Sequence, residues 1–257
     1  MNHRFLSAVI ILLIVVVTGC ASSTEREAEL EKKNKRVETH VMLGANYLQR
    51  GQLDVAKEEL EKALSEMPDN SQANNIMAVL QWRLKKYDEA DRLFRKALDK
   101  DANNSSAHHN YGAFLCDRGK LDAGVRHFDV AAGDALYSYT AEVNLNAGVC
   151  LMKKPAPAAA EKYFREALRI NPKLPGALYQ MARLSVDSGQ RLSARGFIER
   201  YFQSAEDTPE SLLLAVGIER ALGNKNAEAS YALRLRGKFP TSPEAGQLHA
   251  ASAPKKK

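Results

Sequence analysis

The residues able to do chemistry are few. Three cysteines are present, Cys20, Cys116 and Cys150, with six histidines, His3, His40, His108, His109, His127 and His249. No His-Glu-x-x-His run exists, and the adjacent His108 and His109 point in different directions on any helix, so no metal site is expected. There is no glycine-rich phosphate loop and no Gly-x-Ser-x-Gly nucleophile elbow. Carboxylates such as Glu58, Glu59 and Glu61 are scattered over what read as solvent faces. The expectation is a non-enzyme with no cofactor and no small-molecule substrate. Cys20 stands apart because it directly follows Val17-Thr18-Gly19, and small residues before a scissile bond fit the narrow cleft of a signal peptidase. Cys116 and Cys150 allow two readings, a bridge or two small buried apolar fillers. Helical phase sets their side chains at different angles and favours the fillers.

The elements that carry these residues begin with a leader. Arg4 gives a positive start, and Phe5 to Val17 is apolar except for Ser7. A spanning helix needs about 20 apolar residues, so this run has the length of a signal-peptide core. Small residues followed by Cys resemble the bacterial lipobox. That resemblance implies cleavage before Cys20, a thioether-linked diacylglycerol on its sulfur and an acylated new amino terminus. Each buried CH₂ contributes about 0.8 kcal/mol, so three acyl chains would anchor the protein firmly. Ala21 follows, and by resemblance to Gram-negative lipoproteins the absence of Asp there favours the outer membrane, on its periplasmic face. The domain reading is a leader over 1–19, then a charged lipidated tether over 20–36. Within the tether the Glu31–Lys35 pair sits at attractive helical spacing. A mobile stalk grading into the first helix is expected.

The chain has 257 residues, 45% hydrophobic and 26% charged, which suits a folded body. Its net charge of +6 falls to +5 when Arg4 leaves with the leader, too mild to indicate a nucleic-acid partner. A period fills the rest. Small residues recur at Gly44, Ala78, Gly112, Gly148 and Ala182, and again twelve residues on at Ala56, Ala90, Gly124, Ala160 and Ala194. Four residues further stand Leu60, Phe94, Phe128, Phe164 and Ile198; three further stand Ala63, Ala97, Ala131 and Ala167, with Tyr201 departing. Small residues at two facing positions let paired helices approach closely, and the large one plugs the seam. Gly51, Gly119, Gly189 and Gly223 share the slot between the two helices of a unit, where a left-handed residue ends a helix. In the fourth unit Pro155-Ala156-Pro157 stands there instead.

This pattern resembles the tetratricopeptide repeat, a 34-residue helix–turn–helix. Units fall at 37–70, 71–104, 105–138, 141–174 and 175–208, with 139–140 inserted. A degraded sixth covers 209–242, and a flexible tail is expected over 243–257. In the sixth unit Ala229 comes one residue late, which predicts a slightly longer internal turn. The fold expected is all-α, a right-handed superhelix (α-solenoid) of about six hairpins whose first helices line a groove.

Phase assigns Val41, Leu48, Val79 and Trp82 to the groove in the first two units, and Leu145, Val149 and Met152 in the fourth. Unit five contributes Gly176, Tyr179, Arg183, Val186 and Asp187. The slots that form a two-carboxylate clamp in chaperone adaptors hold Val41 and Ala45 in the first unit and Ser106 and Asn110 in the third, so that clamp is absent. An apolar groove suits an amphipathic helix or extended segment. Trp82 reads equally as an anchor in the groove or as packing between repeats.

The whole layout resembles the type IV pilus biogenesis lipoproteins of the PilF/PilW kind. The resemblance rests on Val17-Thr18-Gly19-Cys20, on Met42-Leu43-Gly44-Ala45-Asn46-Tyr47-Leu48 and on His109-Asn110-Tyr111-Gly112-Ala113-Phe114-Leu115-Cys116. It implies a pilotin that binds secretin subunits at the outer membrane and promotes their assembly. A general lipid-anchored scaffold for cell-wall enzymes or proteases is the alternative.

Overall fold

A computed structural model describes the backbone of residues 3–154 and 157–252 and the side chains of 25–154 and 158–248. The Cys20 side chain, the 1–19 leader, the Pro155-Ala156-Pro157 corner and the end of the tail lie outside the described side chains. Regular structure among the described residues is entirely helical. Two compact units divide between Asn110 and Tyr111.

The first unit holds α1 (His3–Gln49), α2 (Leu53–Glu66), α3 (Ser71–Arg83), α4 (Tyr87–Lys100) and the start of α5 (Ser105–Asp117). The tether is helical, as part of α1. Its residues 25–36 are exposed apart from the partly covered Lys33, and Glu31 pairs with Lys35 at 2.7 Å. Among the described residues no helix is long and apolar enough to cross a membrane. α1 packs on α2 and α3 on α4. Leu60 and Phe94, the expected plugs, are fully buried beside Ala56 and Ala90. Burying a side chain of that size contributes about 1.5–3 kcal/mol. Gly51 turns the first corner at φ 76°, whereas Lys85 occupies the same slot of the second hairpin at φ 60°. A side chain there costs about 1–2 kcal/mol.

The second unit continues with the rest of α5, then α6 (Leu121–Ala132), α7 (Thr140–Leu151), α8 (Pro157–Ile170), α9 (Pro175–Asp187), α10 (Arg191–Ser204), α11 (Pro209–Leu222), α12 (Lys225–Lys238) and α13 (Pro243–Ser252). α5 and α6 meet backbone to side chain: a Cβ on Gly112 would lie 2.9 Å from the Gly124 carbonyl oxygen and from the Phe128 ring. The insertion at 139–140 appears as a long turn over residues 133–139, and α6 ends early to feed it.

Two expectations need correction here. The sixth hairpin has no longer turn: α12 starts two residues after Gly223, as α2, α6 and α10 start two after their glycines. What changes is residue size. Glu228 sits in the small slot, paired with Arg220 at 2.7 Å, while Ala232 takes the plug slot and buried Leu235 the alanine slot. Nor is residue 243 onward wholly a tail. α13 packs on α11 and α12, burying Ala245 and Leu248 with Leu212, Val216 and Leu235. The cap is fixed further by Asp207, which pairs with Arg234 and, at 2.8 Å, with Lys238. Burial pushes the Asp207 carboxyl up, but the Lys238 and Arg234 bonds outweigh it and hold it below its ordinary value.

Candidate functional site

With no catalytic cluster expected, the site is sought on the face built by the first helix of each hairpin. In the first unit that face is largely closed. Val41 is 7% exposed and Leu48 4%, so the groove reading of both is corrected. The reason is geometric: Val37, Val41, Gly44 and Leu48 form one stripe of α1, turned inward, and Val41 clusters with Val37, Ala63 and Ala73. Arg83 closes over the end of α1, its Nη1 donating to the Leu48 carbonyl at 2.6 Å. Val79 and Trp82 are partly buried, so Trp82 gives part of its ring to packing and part to solvent.

The remaining first-unit slots are bound up internally. Asn75, fully buried, donates to Ser106 Oγ at 3.1 Å and accepts from Asn110 Nδ2 at 3.1 Å. Those are the two third-unit positions where a carboxylate clamp was sought. His109 lies on the same face, and burial lowers its imidazole pKa to about 4. What α1 does expose is Met42, at 57%, and Leu43. Their slots recur as Ile76 with Met77 and as Asn110 with Tyr111, which are buried or partly buried, Ile76 against Val37 and Val41 of the hairpin before it. The signal was legible, since only the first hairpin has no repeat before it.

The second unit differs. Cys116 and Cys150 are joined by a disulfide with Cα atoms 5.7 Å apart, tying α5 to α7. The expectation of two unbridged fillers is thereby overturned. The two cysteines occupy slots two residues out of phase, but a crossing of neighbouring first helices brings those slots face to face. Lys153 adds a bond, donating to the Cys116 carbonyl at 3.0 Å. Beyond this staple the face opens. Val149 is 38% exposed. Leu145 and Met152 are partly buried against Phe164 and Met181, and Leu145 lies over Gly176, where a Cβ would approach it to 2.6 Å.

Further along, α9, α11 and α13 enclose a hollow of about 480 Å³. Tyr179, Val186, Leu213, Leu214 and Ile218 form its apolar walls, with Arg183, Glu210 and Glu244 at the rim. Val186 is 41% exposed. Burial raises the Tyr179 hydroxyl pKa; Arg183 opposes this, while Glu210 and Glu244 add to it. All three charges thus lie near enough to act on the same hydroxyl. Tyr179, Arg183 and Val186 were placed here by phase. Leu213 and Gly217 occupy the Tyr179 and Arg183 slots of the sixth hairpin and Glu210 the Gly176 slot; they were missed because that unit was read only as a cap. Among the described residues no group of three or more His, Cys, Asp or Glu stands where it could hold a metal ion.

Paired helices on a 34-residue period, small facing residues and left-handed corners define a tetratricopeptide-repeat protein. Sequence profiles of the tetratricopeptide repeat match residues 47–109, 93–126 and 115–175. The type IV pilus assembly protein PilF of Pseudomonas aeruginosa is 30% identical over 246 residues, 95% of this chain and 98% of that one. The solved P. aeruginosa PilF structure superimposes with a TM-score of 0.79 at 29% identity, covering 86% of this chain and all of that one. The structure of PilW, a widely conserved type IV pilus biogenesis factor, gives 0.74 at 30% identity, covering 83% and 98%. The chain belongs to this PilF/PilW family of type IV pilus biogenesis proteins.

Proposed function

We propose that the chain is a pilotin. It holds secretin subunits on the first-helix face of its second unit while a lipid on Cys20 keeps it at the periplasmic face of the outer membrane. Its action is tethering, not catalysis. An anchor at one end and a binding face at the other raise the local concentration of subunits beside the bilayer, which favours their assembly. The observation that carries this reading is the open apolar face of Val149, Val186 and their neighbours in a chain of this family. The Cys116–Cys150 bridge supports export, because disulfides persist in oxidising compartments. The Val17-Thr18-Gly19-Cys20 run supports the anchor.

Crosslinked co-purification from cell envelopes tests the reading. Secretin subunits should dominate the capture, and Val149→Asp with Val186→Asp should lower it at least about tenfold while helicity stays unchanged. Cys20→Ser should move the folded protein from membranes to the soluble fraction. Capture dominated by cell-wall hydrolases would replace the pilotin reading with the general scaffold. Undiminished secretin capture by the double variant would remove the face assignment.

A further inference from the structure

The hollow between α9, α11 and α13 combines features that select a partner by charge as well as by shape. Its walls are apolar, and apart from the adjoining backbone of α11 and the two neighbouring residues nothing among the described residues comes within 4 Å of where a Gly217 Cβ would stand, so the α11 backbone can be approached closely. At the rim, Glu210, Glu244 and Arg183 have no ion-pair partner among the described residues. Some partly exposed carboxylates of this unit are paired, Glu166 with Arg169 and Glu228 with Arg220, both at 2.7 Å. Covering two unpaired carboxylates with a purely apolar segment would strip their water without replacement. A segment that fits must return positive charge in excess of what Arg183 supplies.

We infer that this hollow seats an apolar side chain of a partner segment that carries a neighbouring lysine or arginine, the cation being held by Glu210 and Glu244. Arg183 is left to bond a main-chain carbonyl of the same segment. The inference rests on the proposed capture function and names the chemistry of the captured segment. Apolar anchoring supplies affinity, and the acidic rim supplies selection and a salt-dependent encounter rate.

The test uses the full mature chain and three fluorescent blocked peptides: Ac-GLKLLKG-amide, its glutamate counterpart Ac-GLELLEG-amide, and the leucine-free Ac-GKGGKG-amide. The first should bind and the other two should not. Glu210→Gln with Glu244→Gln, which keeps shape, should weaken it about fivefold and flatten its salt dependence. Gly217→Leu, which fills the hollow and favours helix, should abolish binding with helicity preserved. Equal or tighter binding of the glutamate peptide, or an unchanged affinity in the glutamine variant, overturns the inference. Self-association of the chain that is lost in the glutamine variant also overturns it, with a second copy as the occupant. Secretin capture in parallel separates the two claims. Capture that survives both variants leaves the pilotin reading standing and removes this one; peptide binding without secretin capture does the reverse.

Discussion

The first two hairpins and the last three place the same repeat slots in different states. The fifth slot is Val41 and Asn75 in the first two hairpins, both buried, His109 in the third, partly exposed, and Leu145, Tyr179 and Leu213 in the last three, all partly exposed. The twelfth slot runs from Leu48, at 4%, to Val186, at 41%. Residue type does not explain this, since Leu48 and Val186 are equally apolar. Contacts with neighbouring helices do, and the bond at the helix end differs too. A long cation one slot further on in the next repeat donates to the carbonyl, Arg83 to that of Leu48 and Lys153 to that of Cys116. After Val186 the corresponding residue is Ala221, which has no such donor. Repeat phase therefore says which residues point toward the face, and the neighbouring helices decide which remain open.

The largest expected effect comes from the covalent staple, which only the second unit has. Replacing Cys116 and Cys150 together by Ser should cost about 4 kcal/mol, the loop-closure value for a separation of 34 residues. Thermal melts with and without reductant check it: the wild type under reductant should fall to the level of the variant. A melt insensitive to both changes would mean the bridge is idle.

Leu48→Ala should cost about 3 kcal/mol, as buried leucine truncations do. Val186→Ala should cost about 0.5 kcal/mol, as at exposed positions. In urea titrations the two should separate clearly. Equal losses would break the contrast between a closed and an open face.

His109 sharpens the contrast through pH. Its folded pKa of about 4 lies below the unfolded 6.5, so the unfolded chain binds more protons between those values. Stability is then full above pH 6.5 and falls as pH drops toward 4, by about 2 kcal/mol between pH 7 and 5. Glu66, held down by Arg36, and Asp69, held down by Lys100 and Lys96, act in the same direction but mainly below about pH 4.5. The window from pH 7 to 5 therefore separates the imidazole from these carboxylates. His109→Gln should remove most of that slope, and an unchanged slope would place the titration elsewhere.

Much of this molecule was readable in advance, for a physical reason. Close helix pairing demands a small residue at fixed spacing, and Gly44 and Ala56 or Gly148 and Ala160 announce it regardless of what surrounds them. The same slots failed where the outcome depends on a third element. Val41 and Leu48 matched the face by phase and were buried by neighbours that phase does not include. Cys116 and Cys150 differ in phase, yet a helix crossing brings them to 5.7 Å. In the sixth hairpin the small and large residues exchange places, so the pattern looked broken although the turn is unchanged. α13 was invisible for a related reason: a single short helix has no period, and only its burial of Ala245 and Leu248 gives it a place.

The smallest expected effect tests the bond at the helix end. Arg83→Ala removes one charged donor from the end of α1 and should cost about 1 kcal/mol. Ala221→Arg adds a donor near the end of α11 and should change stability by less than about 0.5 kcal/mol. Their effects on access should be opposite and much larger than their effects on stability. A thiol introduced by Val186→Cys should react with maleimide more slowly once Ala221→Arg is present. One introduced by Leu48→Cys should react faster once Arg83→Ala is present. The native cysteines do not interfere, because Cys116 and Cys150 are bridged and a chain carrying Cys20→Ser serves for the assay. If Ala221→Arg leaves the Val186→Cys rate unchanged, a long cation in the next repeat is not what closes the face. The difference between the units would then lie in the packing of the helices themselves.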